Sequence, residues 1–86
     1  GAGKLFSRTV LPAGASIGEH RHDEEFEVYY VLAGTVEVFD GGVWTILDRG
    51  DMHLCANGES HALRNCGKQE AEVLMLILND QTGQGK

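Results

Sequence analysis

Eighty-six residues suffice for one domain, but one this small buries only about 60–65% of its unfolded surface, so a bound metal or a partner subunit would add useful stability. A net charge of −6 argues against nucleic acid as the main partner, because phosphate binding needs a basic footprint. No run approaches the ~18 apolar residues of a membrane helix, nothing shows the charged-then-apolar pattern of a secretion signal, and the two cysteines, Cys55 and Cys66, form no CxxC pair; a reducing, cytoplasmic setting is expected.

In chain order, residues 4–11 (KLFSRTVL) predict a strand that ends at the turn Pro12-Ala13-Gly14. Residues 26–32 (FEVYYVL) are β-branched and aromatic and predict a second strand; TVEVF follows Gly34 as a third. Asp40-Gly41-Gly42 is a hairpin turn signal, leading into VWTIL and a further turn at Asp48-Arg49-Gly50-Asp51. MHLCA, SHALRN and AEVLMLIL complete the set, and the tail from 79 to 86 is polar and expected to be loose. Turn signals every 8–12 residues or so, with no convincing helix, predict a single all-β sandwich or barrel over residues 1–86. The run VLMLIL at 73–78 is apolar without alternation, as in strands covered on both faces, and predicts a subunit interface, most simply in a homodimer.

Chemistry concentrates in residues 14–34. In a strand, residues i and i+2 share a face, so His20 and His22 project together and Arg21 projects away. Two neutral imidazoles on one face suit a single metal ion. Asp23, Glu24, Glu25 and Glu27 all stand close enough in sequence to add a carboxylate, and parity favours Glu27. It shares a face with Tyr29 and Val31 inside the apolar run, where an ionised carboxylate needs a partner, whereas the first three acids fall in the predicted connection. His61 follows a turn containing Gly58, and a turn of that kind could bring it back over the first pair. Ser60 is no catalytic partner for it, since adjacent strand residues face opposite ways. No zinc-finger spacing, HExxH helix, phosphate loop or nucleophile elbow occurs.

These residues resemble the cupin family. Its first motif, G(X)5HXH(X)3-4E(X)6G, is met at every fixed position by Gly14, His20, His22, Glu27 and Gly34. Its second, G(X)5PXG(X)2H(X)3N, is met by Gly50, Gly58, His61 and Asn65, with Ala56 in place of the proline. The resemblance implies an antiparallel double-stranded β-helix, or jelly-roll barrel, and a metal held by His20, His22, Glu27 and His61. It further implies a Mn, Fe, Co, Ni, Cu or Zn centre with open positions for a small organic ligand, serving an oxygenase, a decarboxylase or an isomerase. A non-enzymatic binding or sensing module is the alternative, and a purely structural metal barrel a third. His53 is a candidate additional ligand or a partner of one, Tyr29 and Trp44 are candidate pocket walls, and Cys55 is expected in the core. Arg21 and Arg64 are out of phase with the histidines and are expected to point outward. That outward placement favours a small ligand held chiefly by the metal, while Arg8 and Arg49 remain open.

Overall fold

The computed structural model describes residues 3–21, 24–56, 58 and 60–79, with the backbone alone described at 3, 4 and 19–21. Eight strands form: β1 (Gly3–Leu11), β2 (Ser16–Arg21), β3 (Glu25–Ala33), β4 (Thr35–Asp40), β5 (Val43–Asp48), β6 (Met52–Cys55), β7 (Ser60–Arg64) and β8 (Ala71–Asn79). They build two four-stranded sheets with orders β1-β8-β3-β6 and β2-β7-β4-β5, and every pair is antiparallel. This is the jelly-roll connectivity, in which successive strands alternate between sheets through most of the chain. Among the described residues there is no helix, and so none long and apolar enough to cross a membrane.

The period-2 alternation of the sequence is what lets the two sheets close on each other. On β3, Glu27, Tyr29 and Val31 are buried while Tyr30 is exposed. On β4 the inward residues are Val36 and Val38, and on β8 Ala71, Val73 and Met75. With Leu11, Leu47 and Leu63 they form one apolar core between the sheets. The unalternating run of β8 has a structural reason. Val73 and Met75 face the core, while Leu74 and Leu76 lie half-buried on the outside of a strand flanked by β1 and β3.

Three local devices hold the strand ends. The β1–β2 turn closes with Ala15 N donating to Pro12 O at 3.0 Å, and the start of β2 is tied to the end of β7 by Gly14 N to Asn65 O and Asn65 N to Ala15 O, both 2.9 Å. The buried Asn65 amide then donates to Leu11 O and Gln69 O at 2.9 and 2.8 Å and accepts from Gly67 N at 2.9 Å. Gly34, between β3 and β4, has φ +79°, and a Cβ there would stand 2.9 Å from the Glu70 carbonyl oxygen, so this crossing needs glycine on both counts.

Some expectations are corrected. β3 begins at Glu25, so one acid of the expected connection belongs to the strand. Asp40 closes β4 rather than only opening a turn. Arg8 turns outward to pair with Glu72, because Ser7, Thr9 and Leu11 take the inner face of β1. Trp44 does not wall the interior. It packs against Phe39 on the outside of the sheet, ring centroids 5.2 Å apart, with the Arg64 guanidinium 3.6 Å above its ring.

Candidate metal centre

Strand register decides which polar side chains meet. On one sheet the inward row Leu5, Ile77, Glu27 and Cys55 runs across β1, β8, β3 and β6, and the next row is Ser7, Met75, Tyr29 and His53. On the opposing sheet, His20, His61 and Asp40 are register partners across β2, β7 and β4. One end of the interior is therefore lined by acids, imidazoles and a thiol, while the other is filled by Leu11, Val31, Val36, Leu63 and Val73.

Glu27 and His61 join the sheets. His61 Nε2 stands 2.7 Å from Glu27 Oε1, with Glu27 only 3% exposed and His61 fully buried. The Tyr29 hydroxyl donates to the same Oε1 at 3.2 Å, and its ring meets the His61 ring edge-on at 5.9 Å. Burial first, and then the Glu27 carboxylate, push the Tyr29 hydroxyl far above the usual phenol range, so it stays a donor.

The backbone of His20 comes opposite His61 through an irregularity. The pairing of Ile17 with Leu63, continued regularly, would set residue 19 opposite His61; an extra residue between Ile17 and His20 sets His20 there instead. The side chain of His20, all of His22 and Asp23, and the tail beyond Asn79 lie outside the described residues. Glu24 is exposed, with a left-handed φ of 61°.

A second group shares this end. His53 Nε2 lies 2.8 Å from Asp40 Oδ2, again linking the two sheets, and Cys55 is fully buried beside them. Burial, then the Asp40 and Glu27 carboxylates, push the Cys55 thiol up to about 12. Asp40 was hidden in the sequence by the turn that follows it, although Val36, Val38 and Asp40 alternate onto one face. A groove of about 350 Å³ over Phe39, Trp44, Ala62 and Arg64 is lined by none of Glu27, Tyr29, His53 or His61.

The family model of the cupin domain matches residues 7–77, from within β1 to within β8 and so over β2 to β7 entire. The chain belongs to the cupin family. A Thermotoga maritima protein named oxalate-binding protein is 40% identical to this cupin over 75 residues, 87% of the present chain and 62% of the relative. The chain thus spans less than two thirds of that relative's length. A Thermotoga maritima crystal structure described as a predicted oxalate decarboxylase superposes with TM-score 0.89 at 38% identity, covering 91% of this chain and 68% of that one. A structure from Thermus thermophilus gives 0.86 at 26% identity, covering 93% and 76%. Ala56, where the second motif has proline, is exposed just past the end of β6, and Gly58 retains a left-handed φ of 82°.

The interior of this cupin suits a transition metal. A carboxylate and an imidazole meet at 2.7 Å in a site with almost no solvent exposure, and a second histidine backbone stands in register with the first. Mixed imidazole and carboxylate donors are the ligand chemistry of first-row divalent ions.

Proposed function

We propose that His20, His22, Glu27 and His61 hold one divalent transition-metal ion, and that the chain binds a small dicarboxylate of the oxalate class at its open positions. The observation that carries this reading is the buried Glu27–His61 contact, 2.7 Å, beside the register position of His20. A buried ionised carboxylate needs a compensating charge, and a cation supplies it. When bound, the ion would offer positive charge to the oxygens of a chelating anion.

The protein's own residues favour binding over turnover. Tyr29 is held as a donor to Glu27, which leaves it a poor proton source. Arg8 and Arg64 are engaged outside by Glu72 and Glu37, and Arg49 is exposed, so none of these three supplies an interior guanidinium for a large anion. That favours a ligand small enough to be held chiefly by the ion. The names of the relatives point to oxalate. The test is calorimetric titration of oxalate into the Mn2+-loaded and the chelated protein. One oxalate per ion, lost on chelation and in Glu27→Gln, is expected. Equal binding with and without chelator would overturn the reading, and release of formate and CO2 would replace binding by decarboxylation.

In the same reading the protein is a cytoplasmic homodimer. Both described cysteines are free, and Cys66 is exposed, which suits a reducing compartment. The outer face of β1-β8-β3-β6 carries a complete apolar row, Phe6, Leu76, Val28 and Leu54, with Phe6 71% and Leu54 54% exposed. Met52 extends the patch beside Tyr30. A continuous apolar face across four strands marks an interaction surface, and a second copy covers it self-complementarily. Light scattering at micromolar concentration should give twice the chain mass; a strict monomer would refute the dimer.

A further inference from the structure

Three interior side chains outside the motif set converge as a second group of ligand atoms. Asp40 ends β4, while His53 and Cys55 occupy successive inward positions of β6. Their carboxylate oxygen, ring nitrogen and sulfur all lie within 4.8 Å of one another. The group is assembled from both sheets, and its shortest link is the 2.8 Å contact of His53 Nε2 with Asp40 Oδ2. Cys55 is fully buried, whereas the His53 and Asp40 side chains keep 25% and 19% of their exposure, so the group opens to solvent on one side.

We propose that Asp40, His53 and Cys55 form a second cation site, for Zn2+ or Co2+, separate from the motif histidines and Glu27. The proposal stands whether or not the motif residues bind oxalate. One thiolate, one imidazole and one carboxylate are all zinc donors, and three protein ligands are the number an open zinc site uses, with the fourth position left to water. Tetrahedral donors about 2.0–2.3 Å from zinc stand roughly 3.3–3.8 Å apart, so the three side chains need only small rotamer adjustments. The thiolate selects Zn2+ or Co2+ over Mn2+ or Mg2+, which prefer oxygen donors. Without a cation, two carboxylates and burial keep the Cys55 sulfur protonated. A bound ion reverses that local logic, takes the thiolate and releases the thiol proton to solvent. A row of buried valines would have stabilised this end of the barrel more simply than a thiol wedged between acids.

The test is titration of the intact chain carrying Cys66→Ser with Co2+, followed by absorption in the near ultraviolet. Two equivalents of Co2+ are expected, one of them with thiolate-to-cobalt charge transfer. In that background Cys55→Ser should abolish the charge-transfer band and leave the other equivalent. His53→Gln should weaken the band-bearing equivalent by at least ~10-fold. Glu27→Gln should keep the band while losing the other equivalent, which separates this site from the motif centre. Absence of the band in the parent protein, its survival in Cys55→Ser, or its loss in Glu27→Gln would each overturn the proposal. The last result would assign Cys55 to the motif centre. His53→Gln, which leaves the buried thiol in place, covers the case in which Cys55→Ser fails to fold.

Discussion

Replacing Glu27 by glutamine separates the chemical role of this residue from a structural one, because the two roles predict opposite signs. Glu27 is 3% exposed and accepts from Tyr29 at 3.2 Å and His61 at 2.7 Å. Glutamine has the same shape, and its carbonyl accepts from both partners. These two hydrogen bonds to a charged acceptor, about 1.5–3 kcal/mol each, become neutral ones of about 0.5–1.5, a loss of roughly 1–3 kcal/mol from this pair of contacts. Against this, burial of an ionised carboxylate ceases to cost several kcal/mol. The metal-free variant should be more stable by about 1–3 kcal/mol, and at about 4–8 °C per kcal/mol its Tm should rise by at least ~4 °C. Metal binding moves the other way. At Mn2+ equal to 100 times the parent's Kd, binding stabilises the parent by about 2.7 kcal/mol, an upward Tm shift of roughly 11–22 °C. A 100-fold weaker variant gains only about 0.4 kcal/mol, roughly 2–3 °C. The assay is thermal unfolding of both proteins with chelator and with Mn2+. If the Tm of chelated Glu27→Gln falls in step with the metal-loaded one, Glu27 is a structural acceptor and the metal argument fails. It fails equally if Glu24→Gln, at an exposed position, closes the gap to the same extent.

Gly34→Ala places a Cβ 2.9 Å from the Glu70 carbonyl oxygen at φ +79°, and the left-handed strain alone costs about 1–2 kcal/mol; a Tm more than ~5 °C lower is expected, and an unchanged Tm would mean the crossing relaxes freely. Asn65→Ala removes three hydrogen bonds that tie Leu11, Gly67 and Gln69 together and leaves their backbone groups to find new partners, so chemical denaturation should show a loss of about 2–4 kcal/mol while Mn2+ stoichiometry is unchanged in the folded fraction. Alkaline stability follows from Cys55, whose thiol is raised from 9.0 to about 12 by burial, Asp40 and Glu27. The folded chain holds this proton more tightly than the unfolded one, so the stabilisation is complete below pH 9 and disappears as pH rises toward 12. Cys55→Ala should therefore flatten the fall in unfolding free energy over that window by up to about 1.4 kcal/mol per pH unit, as read by urea denaturation at several pH values.

Much of the fold was legible because its strands are short, alternating and separated by glycine turns. The expected segments 4–11, 26–32, 71–78 and those between 26 and 78 appear within a residue or two of observed strands, whereas β2 (Ser16–Arg21) is an eighth strand that the chain-order reading did not list. The inward placement of Glu27 with Tyr29 and Val31 followed from parity alone, and so did the outward placement of Arg64, which ends on Trp44 and Glu37. Three features were not legible. The irregularity between Ile17 and His20 alters which residue faces His61, and nothing local in Gly18-Glu19 marks an extra residue. Asp40 reads as turn chemistry because Gly41-Gly42 follow, yet the strand continues through it. Trp44 does wall a groove, but β5 is an edge strand whose outer face packs it on Phe39, so that groove lies outside the barrel and not at Glu27 and His61.

The division of the barrel interior explains why one small chain tolerates so many buried titratable groups. Folding is supported at the end where Val31, Val36, Leu63 and Val73 meet, and there Asn65 and Gly34 hold the connections in place. That leaves the opposite end free of packing duty. Glu27 and His61 cross from sheet to sheet there, and so do Asp40 and His53, so each pair spans the same gap with a separable polar link. A cation bound to either pair would pull the two sheets together at their least apolar point, and its removal would loosen that end first. Hydrogen exchange on the chelated protein should therefore be fastest at β6 and the start of β7 and slowest on β8, with metal restoring protection at β6 and β7 alone. Uniform protection across all eight strands upon metal binding would mean that the two ends fold as one unit, and that the polar end is no less stable than the apolar one.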